Sequence, residues 1–161
     1  MKNILLLLLF ITTVAQSQIV NIPDANFKSI LLNADSSNYV AKNLNNTFFK
    51  IDANNDGEIQ YNEALQVSYL QLYNGNISSI LGVEYFTNLV NLQCSNNNIS
   101  QVDLSSLTNI QTINLSFNDL NQLNTSTLIN LISLSCSNNN ITNLDLINNN
   151  NLLNVNFNSN E

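Results

Sequence analysis

Leu89-Val90-Asn91-Leu92-Gln93-Cys94-Ser95-Asn96-Asn97-Asn98-Ile99 sets the pattern of this chain, with apolar residues at the first, fourth, sixth and eleventh places and Asn at the ninth. The spacing returns at Ile110 (Ile110, Ile113, Leu115, Asn118, Leu120), at Leu131 (Leu131, Leu134, Cys136, Asn139, Ile141) and at Leu152 (Leu152, Val155, Phe157, Asn160), 21 residues apart each time. A degenerate copy starts 22 residues before Leu89, with Val67, Leu70, Leu72 and Ile77 in register and Gly75 where the Asn should stand. Agreement at several positions and one fixed period marks an internal repeat, whose end copies are expected to be atypical.

One copy cannot bury its own apolar stripe, so copies must stack, each adding one short strand to a parallel array with its apolar residues facing inward. The predicted fold class is an α/β repeat, a right-handed solenoid of about four and a half turns over residues 67–161, the last turn incomplete. Twenty-one residues leave too little chain for a helix on the outer side, which is then turns or 3₁₀ pieces. The Asn ladder (Asn97, Asn118, Asn139, Asn160) falls where the chain leaves each strand, where an inward amide serves backbone groups that no regular ladder reaches. These residues read as structural. Residues 67–161 resemble the leucine-rich-repeat superfamily, in particular the short-period bacterial type in which Cys-Ser-Asn-Asn-Asn (94–98 and 136–140) leads into Val-Asp-Leu or Leu-Asp-Leu.

Ahead of the repeats, residues 52–63 read Asp-Ala-Asn-Asn-Asp-Gly-Glu-Ile-Gln-Tyr-Asn-Glu and match the EF-hand loop pattern at every fixed position. Asp52, Asn54 and Asp56 offer side-chain oxygens, Glu58 its backbone carbonyl, and Glu63 a closing bidentate carboxylate, with Gly57 at the sharp turn. Hard oxygen donors favour calcium. Only one such loop is present, so the expectation is a low-affinity structural site rather than a sensor. Residues 22–32 are expected to form a short helix, with Pro23 and Asp24 in its first turn and Phe27, Ile30 and Leu31 on one face. Residues 33–50 supply either an entering helix for the loop or an irregular insertion. Together, residues 18–66 resemble the N-terminal module that accompanies this repeat type, a helical EF-hand-like cap over the open apolar end of the solenoid.

Met1-Lys2-Asn3 followed by the apolar run Ile4 to Ile11 reads as a signal peptide, with Ala15-Gln16-Ser17 placing cleavage after Ser17 and the mature protein outside the cell or on its surface. The four cations (Lys2, Lys28, Lys42, Lys50) all precede residue 51 and the net charge is −7, so nucleic acid and anionic membrane are poor partners. There is no His, which removes the common acid–base and Ser-His or Cys-His arrangements, and no enzymatic activity is expected. Asp103 and Asp145 share one repeat position with Asn124 between them, two turns apart and without an acid–base partner. Cys94 and Cys136 also lie two turns apart, about 10 Å at the spacing of stacked strands, beyond disulfide reach. They are expected as buried thiols.

The resemblance implies a protein-interaction or adhesion module whose partner, a protein or glycan, meets the concave strand face. That face is expected to carry Tyr69, Gln71, Tyr73, Asn91 and Gln93, followed by Ser95, Thr112, Asn114, Ser116, Ser133, Ser135 and Ser137. Small polar residues dominate it, so a purely structural surface spacer is the alternative, as is a carbohydrate-binding face. The fifth copy breaks off at Glu161, which suggests a chain that continues in its intact form.

Overall fold

The computed structural model describes residues 18–161, and the expected signal segment lies outside them. Helix α1 (Ala25–Leu32), strand β1 (Ala41–Asn43) and the single-turn helix α2 (Tyr61–Ala64) precede five short strands. These are β2 (Val67–Gln71), β3 (Asn91–Gln93), β4 (Thr112–Asn114), β5 (Ser133–Ser135) and β6 (Asn154–Asn156). All six form one sheet in chain order, β1 antiparallel to β2 and the rest parallel.

The register follows the repeat. Leu70, Leu92, Ile113, Leu134 and Val155 align across β2 to β6. The first four are buried, and Val155, on the last strand of the described residues, is 48% exposed. Behind them Leu72, Cys94, Leu115 and Cys136 are buried too, and Leu89, Ile110, Leu131 with Ile77, Ile99, Leu120 and Ile141 complete one continuous core. Each fully buried aliphatic side chain contributes about 1.5–3 kcal/mol, so stacking rather than strand length stabilises three-residue strands.

The ladder Asn residues do what their spacing implies. Asn118 accepts the Ile99 N–H at 3.0 Å and donates to the carbonyls of Cys94 and Leu115, each at 3.0 Å. Asn139 repeats the set one turn on, with the Leu120 N–H and the carbonyls of Leu115 and Cys136. Asn97 and Asn160 close the series. A second ladder, which the sequence reading missed, runs along the outer turns, where Asn88, Asn109, Asn130 and Asn151 each donate to a carbonyl of the preceding turn. Those outer turns hold a 3₁₀ piece at Val83–Tyr85 and otherwise lack regular structure, as 21 residues per turn require.

The cap differs from its expected form. Residues 41–43 are a strand, with Lys42 bridged to Phe48, and the rest of 33–50 is turns and bends, so no entering helix precedes the loop and the insertion, otherwise irregular, holds a short hairpin. Helix α1 begins at Ala25, and Asp24 is its N-cap, accepting the N–H groups of Asn26 and Phe27, instead of lying in the first turn. Phe27 and Leu31 pack into the core and Ile30 lies against it. At Gly75, where the first turn lacks the ladder Asn, a side chain would come within 2.7 Å of the Ile30 Cδ1 atom, so the Ile30 side chain would have to shift to admit one. Helix α1 occupies the space instead.

Candidate functional site

Side chains that alternate with the buried row stand on the open face of the sheet. Tyr69, Asn91, Thr112, Ser133 and Asn154 form one file and Gln71, Gln93, Asn114, Ser135 and Asn156 the next. Four of the five expected face residues, Tyr69, Gln71, Asn91 and Gln93, are therefore neighbours on β2 and β3, and Tyr73, 53% exposed, lies just beyond β2. Hydrogen bonds order them, Tyr69 to Gln71 and Gln93 to Asn91. Ser116 and Ser137 are not on the face. Both are buried, and Ser137 donates to Ser116 at 3.1 Å, because their side chains turn into the stack where the strands end.

Strand β1 widens this face and brings residues that repeat periodicity could not place. Lys42 pairs with Tyr69 across the antiparallel ladder, and the hairpin returns Phe48 beside it. The Phe48 ring stands edge-on to Tyr39 (centroids 5.1 Å) and to Tyr69 (6.5 Å), and the Lys42 ammonium lies over Phe48 (4.9 Å) and Tyr69 (5.4 Å). Desolvation raises the Tyr69 phenol above its usual value, with the nearby Tyr73 adding to it. One end of the sheet thus carries an aromatic cluster with a cation, and the other end only Ser, Thr and Asn. Tyr is among the residue types enriched at the energetic centres of protein interfaces, and on this face the tyrosines gather at one end.

The loop of residues 52–63 is tightly hydrogen-bonded. Asp52 accepts the N–H groups of Asp56 and Gly57, and Asn54 and Asp56 accept those of Asp56 and Glu58. Glu63 ties the loop's ends, taking the Ala53 N–H at 2.8 Å and the Gln60 N–H at 2.9 Å. Asn55 and Gly57 hold the turn at φ +61° and +80°. The Asp56 carboxyl is held below its usual value first by the Gln60 amide and then by the Glu58 N–H. Lys28 pairs with Glu58 at 2.6 Å. Residues 18–20 run antiparallel to the loop's middle, Val20 donating to Ile59 and Tyr61 to Gln18, each at 2.8 Å. The loop's own chain therefore supplies the strand pairing that a second loop would otherwise give.

As for a metal, the donor set is hard and oxygen-rich, and Asp52 and Glu63 are 5% and 6% exposed with no Lys among the described residues in ion-pair range, a charge that a divalent cation would offset. Against that, among the described residues no group of three or more His, Cys, Asp and Glu side chains converges to hold a metal. The donor atoms are of the kind that hard divalent cations take, but a preformed carboxylate cage is not there.

A larger groove of about 920 Å³ follows the outer turns past Glu84, Asp103, Asn124 and Asp145. Its carboxylates are engaged by the turns themselves, Asp103 accepting the Ser105 N–H and Asp145 that of Ile147, as Asn124 does that of Ser126. Ser105 holds the Asp103 carboxyl below its usual value. These are turn-capping groups, one per repeat. Cys94 and Cys136 are free and buried, as expected, with Leu115 between them in the file; burial pushes their thiols up to about 12 and about 11. Among the described residues no helix is long and apolar enough to cross a membrane.

No family model matches the chain, and neither does any curated protein. Solved structures do. The functional domain of InlJ from Listeria monocytogenes, described as including a cysteine ladder, is 28% identical over 90% of this chain, with a TM-score of 0.72. An internalin, InlF, from the same organism is 21% identical over 91% of the chain with a TM-score of 0.68. The chain spans 29% and 40% of the lengths of those two proteins. In fold, then, it is a solenoid of about four stacked turns similar to the leucine-rich repeats of Listeria internalins.

Proposed function

We propose that this chain is an exported protein-interaction or adhesion module without enzymatic activity, docking its partner on the open sheet face through the cluster of Tyr69, Phe48, Tyr39, Tyr73 and Lys42. The observation that carries the reading is the concentration of aromatic side chains at one end of a face otherwise built of amides and hydroxyls. Similarity to internalins supports it. The test is a binding screen of the purified chain against an array of extracellular protein domains, repeated with Phe48→Ala/Tyr69→Ala and with Ser133→Ala. A partner lost with the aromatic pair and kept with Ser133→Ala is expected. Absence of any binder would favour the structural spacer, a reading that the bland Thr112 to Asn156 half of the face supports, and a binder indifferent to the aromatic pair would move the docking site away from the cluster.

Calcium enters the same proposal as the ion of the loop, held by Asp52, Asn54, Asp56, the Glu58 carbonyl and Glu63. Its role is to brace the cap, since the loop lies between the hairpin carrying Phe48 and the strand carrying Tyr69. An ion that binds only the folded protein raises stability by about 2.7 kcal/mol at a hundredfold excess over its dissociation constant. Thermal melting under a calcium titration should therefore move for the wild type and stand still for Glu63→Ala. An equal response in both would remove the loop from the account.

A further inference from the structure

Beside the sheet face, a pocket of about 470 Å³ opens between helix α1 and the outgoing end of β2. Tyr39 and Tyr73 line it, 67% and 53% exposed, with Ile30 and Leu72 as apolar wall and Gln71 and Asn74 as amides. The edge-on contact with Phe48 fixes the Tyr39 ring. Gly75 carries none of the Asn side chain found at this place in later turns, which lets the helix close one side.

We infer that this pocket binds a neutral pyranose, as a single sugar or as one unit of a glycan. Three observations support that class of ligand. The volume falls in the range of about 300–1,000 Å³ typical of small-molecule sites. Its lining joins exposed aromatic rings, which cover the C–H face of a sugar, to amides and hydroxyls that both donate and accept, as sugar hydroxyls do. No charged residue lines it, and a chain of net charge −7 repels anions, so an acidic sugar lacks a counter-charge there. The hydroxyls of Tyr39 and Tyr73 and the side-chain amide of Asn74 make no hydrogen bond to the rest of the described chain, which leaves them for a ligand. The pocket shares Gln71 and the two tyrosines with the face proposed above, but it needs no protein partner and stands if that screen finds none.

Ligand-observed NMR titration of the chain with methyl pyranosides of glucose, galactose and mannose, with sodium glucuronate as the charged comparison, tests it. Saturable binding of at least one neutral pyranoside is expected, weakened about tenfold in Tyr73→Ala and in Ser29→Trp, which fills the pocket from an exposed site on α1. Asn114→Ala, on the middle of the sheet face, should bind as the wild type does. Melting curves verify that each variant is folded. Tighter binding of a corresponding trisaccharide would place the pocket on a longer glycan path, and equal binding would make it a single-sugar site; both uphold the inference. It is overturned if no neutral pyranoside saturates, if glucuronate binds as well, if Tyr73→Ala and Ser29→Trp bind like wild type, or if Asn114→Ala abolishes binding.

Discussion

The Oδ2 atom of Asp24 accepts the Ser78 N–H at 2.8 Å, joining the start of helix α1 to the first turn of the solenoid, 54 residues away. The same oxygen takes the Ser79 N–H at 3.1 Å, while Oδ1 caps α1. One carboxylate thus serves as helix cap and as joint between cap and repeats. Replacing it with Ala removes a cap and charge-assisted bonds, and a loss of about 2 kcal/mol is expected in denaturant unfolding. Burial raises the Asp24 carboxyl, but the N–H groups of Phe27, Ser78, Ser79 and Asn26 outweigh it and the net shift is downward. Its stabilisation is then present above the unfolded carboxyl value and disappears as pH falls through the lower folded one. Asp24→Asn should flatten the acid limb of the stability curve, and an unchanged limb would deny Asp24 this role.

The two Asn ladders should differ sharply in their sensitivity to substitution. Asn118→Ala leaves the Ile99 N–H without its acceptor inside the stack and takes one of two side-chain donors from each of the Cys94 and Leu115 carbonyls, for an expected cost of about 2 kcal/mol. Asn109→Ala removes one bond to the Thr87 carbonyl on an exposed outer turn, where water replaces it, and about 0.5 kcal/mol is expected. Chemical denaturation of both variants decides it; equal losses would mean that burial does not distinguish the ladders.

Why the inner ladder was legible in sequence and the aromatic cluster was not follows from what each depends on. Asn97, Asn118, Asn139 and Asn160 sit beside leucines that repeat with them, so one period places all four. Asn88, Asn109, Asn130 and Asn151 keep the same period, yet in a chain so rich in Asn their regularity did not stand out. Phe48 reaches Tyr69 only because β1 pairs antiparallel with β2, a contact between segments that share no repeat. The residues of 33–50 carry no period, so neither strand nor hairpin announced itself there. Ser116 and Ser137 went wrong for the opposite reason: strict alternation was extended past the end of a three-residue strand.

Phe117 is out of keeping with its column. Asn74, Asn96, Asn138 and Ser159 hold the matching place in the other turns, all near φ +55°, and Phe117 adopts φ +57° while 53% exposed. The left-handed region tolerates Asn and strains an aromatic residue by about 1 kcal/mol. The backbone is held there from both sides, Phe117 donating to Ser137 and accepting from Asn97. Phe117→Asn should therefore raise the melting temperature while the neighbouring bonds persist, and a lower one would show that the ring's contacts outweigh the strain.

Thiol labelling offers a reading of how the stack opens. Cys94 lies in the second turn and Cys136 in the fourth, both fully buried, with thiols pushed up to about 12 and about 11 by desolvation. At pH 8 neither presents appreciable thiolate, so reaction requires opening of the turn. In a solenoid each turn is held by its neighbours, and terminal turns open at lower cost than interior ones. Cys136 is covered by the β6 turn, whose Val155 and Leu153 are 48% and 79% exposed, whereas Cys94 has the cap and first turn on one side and three turns on the other. In the 161-residue chain under native conditions Cys136 should label faster than Cys94, and rising denaturant should bring the two rates together as global unfolding takes over. Equal rates at all denaturant concentrations would mean that the whole stack unfolds as one unit, with no fraying from the β6 end.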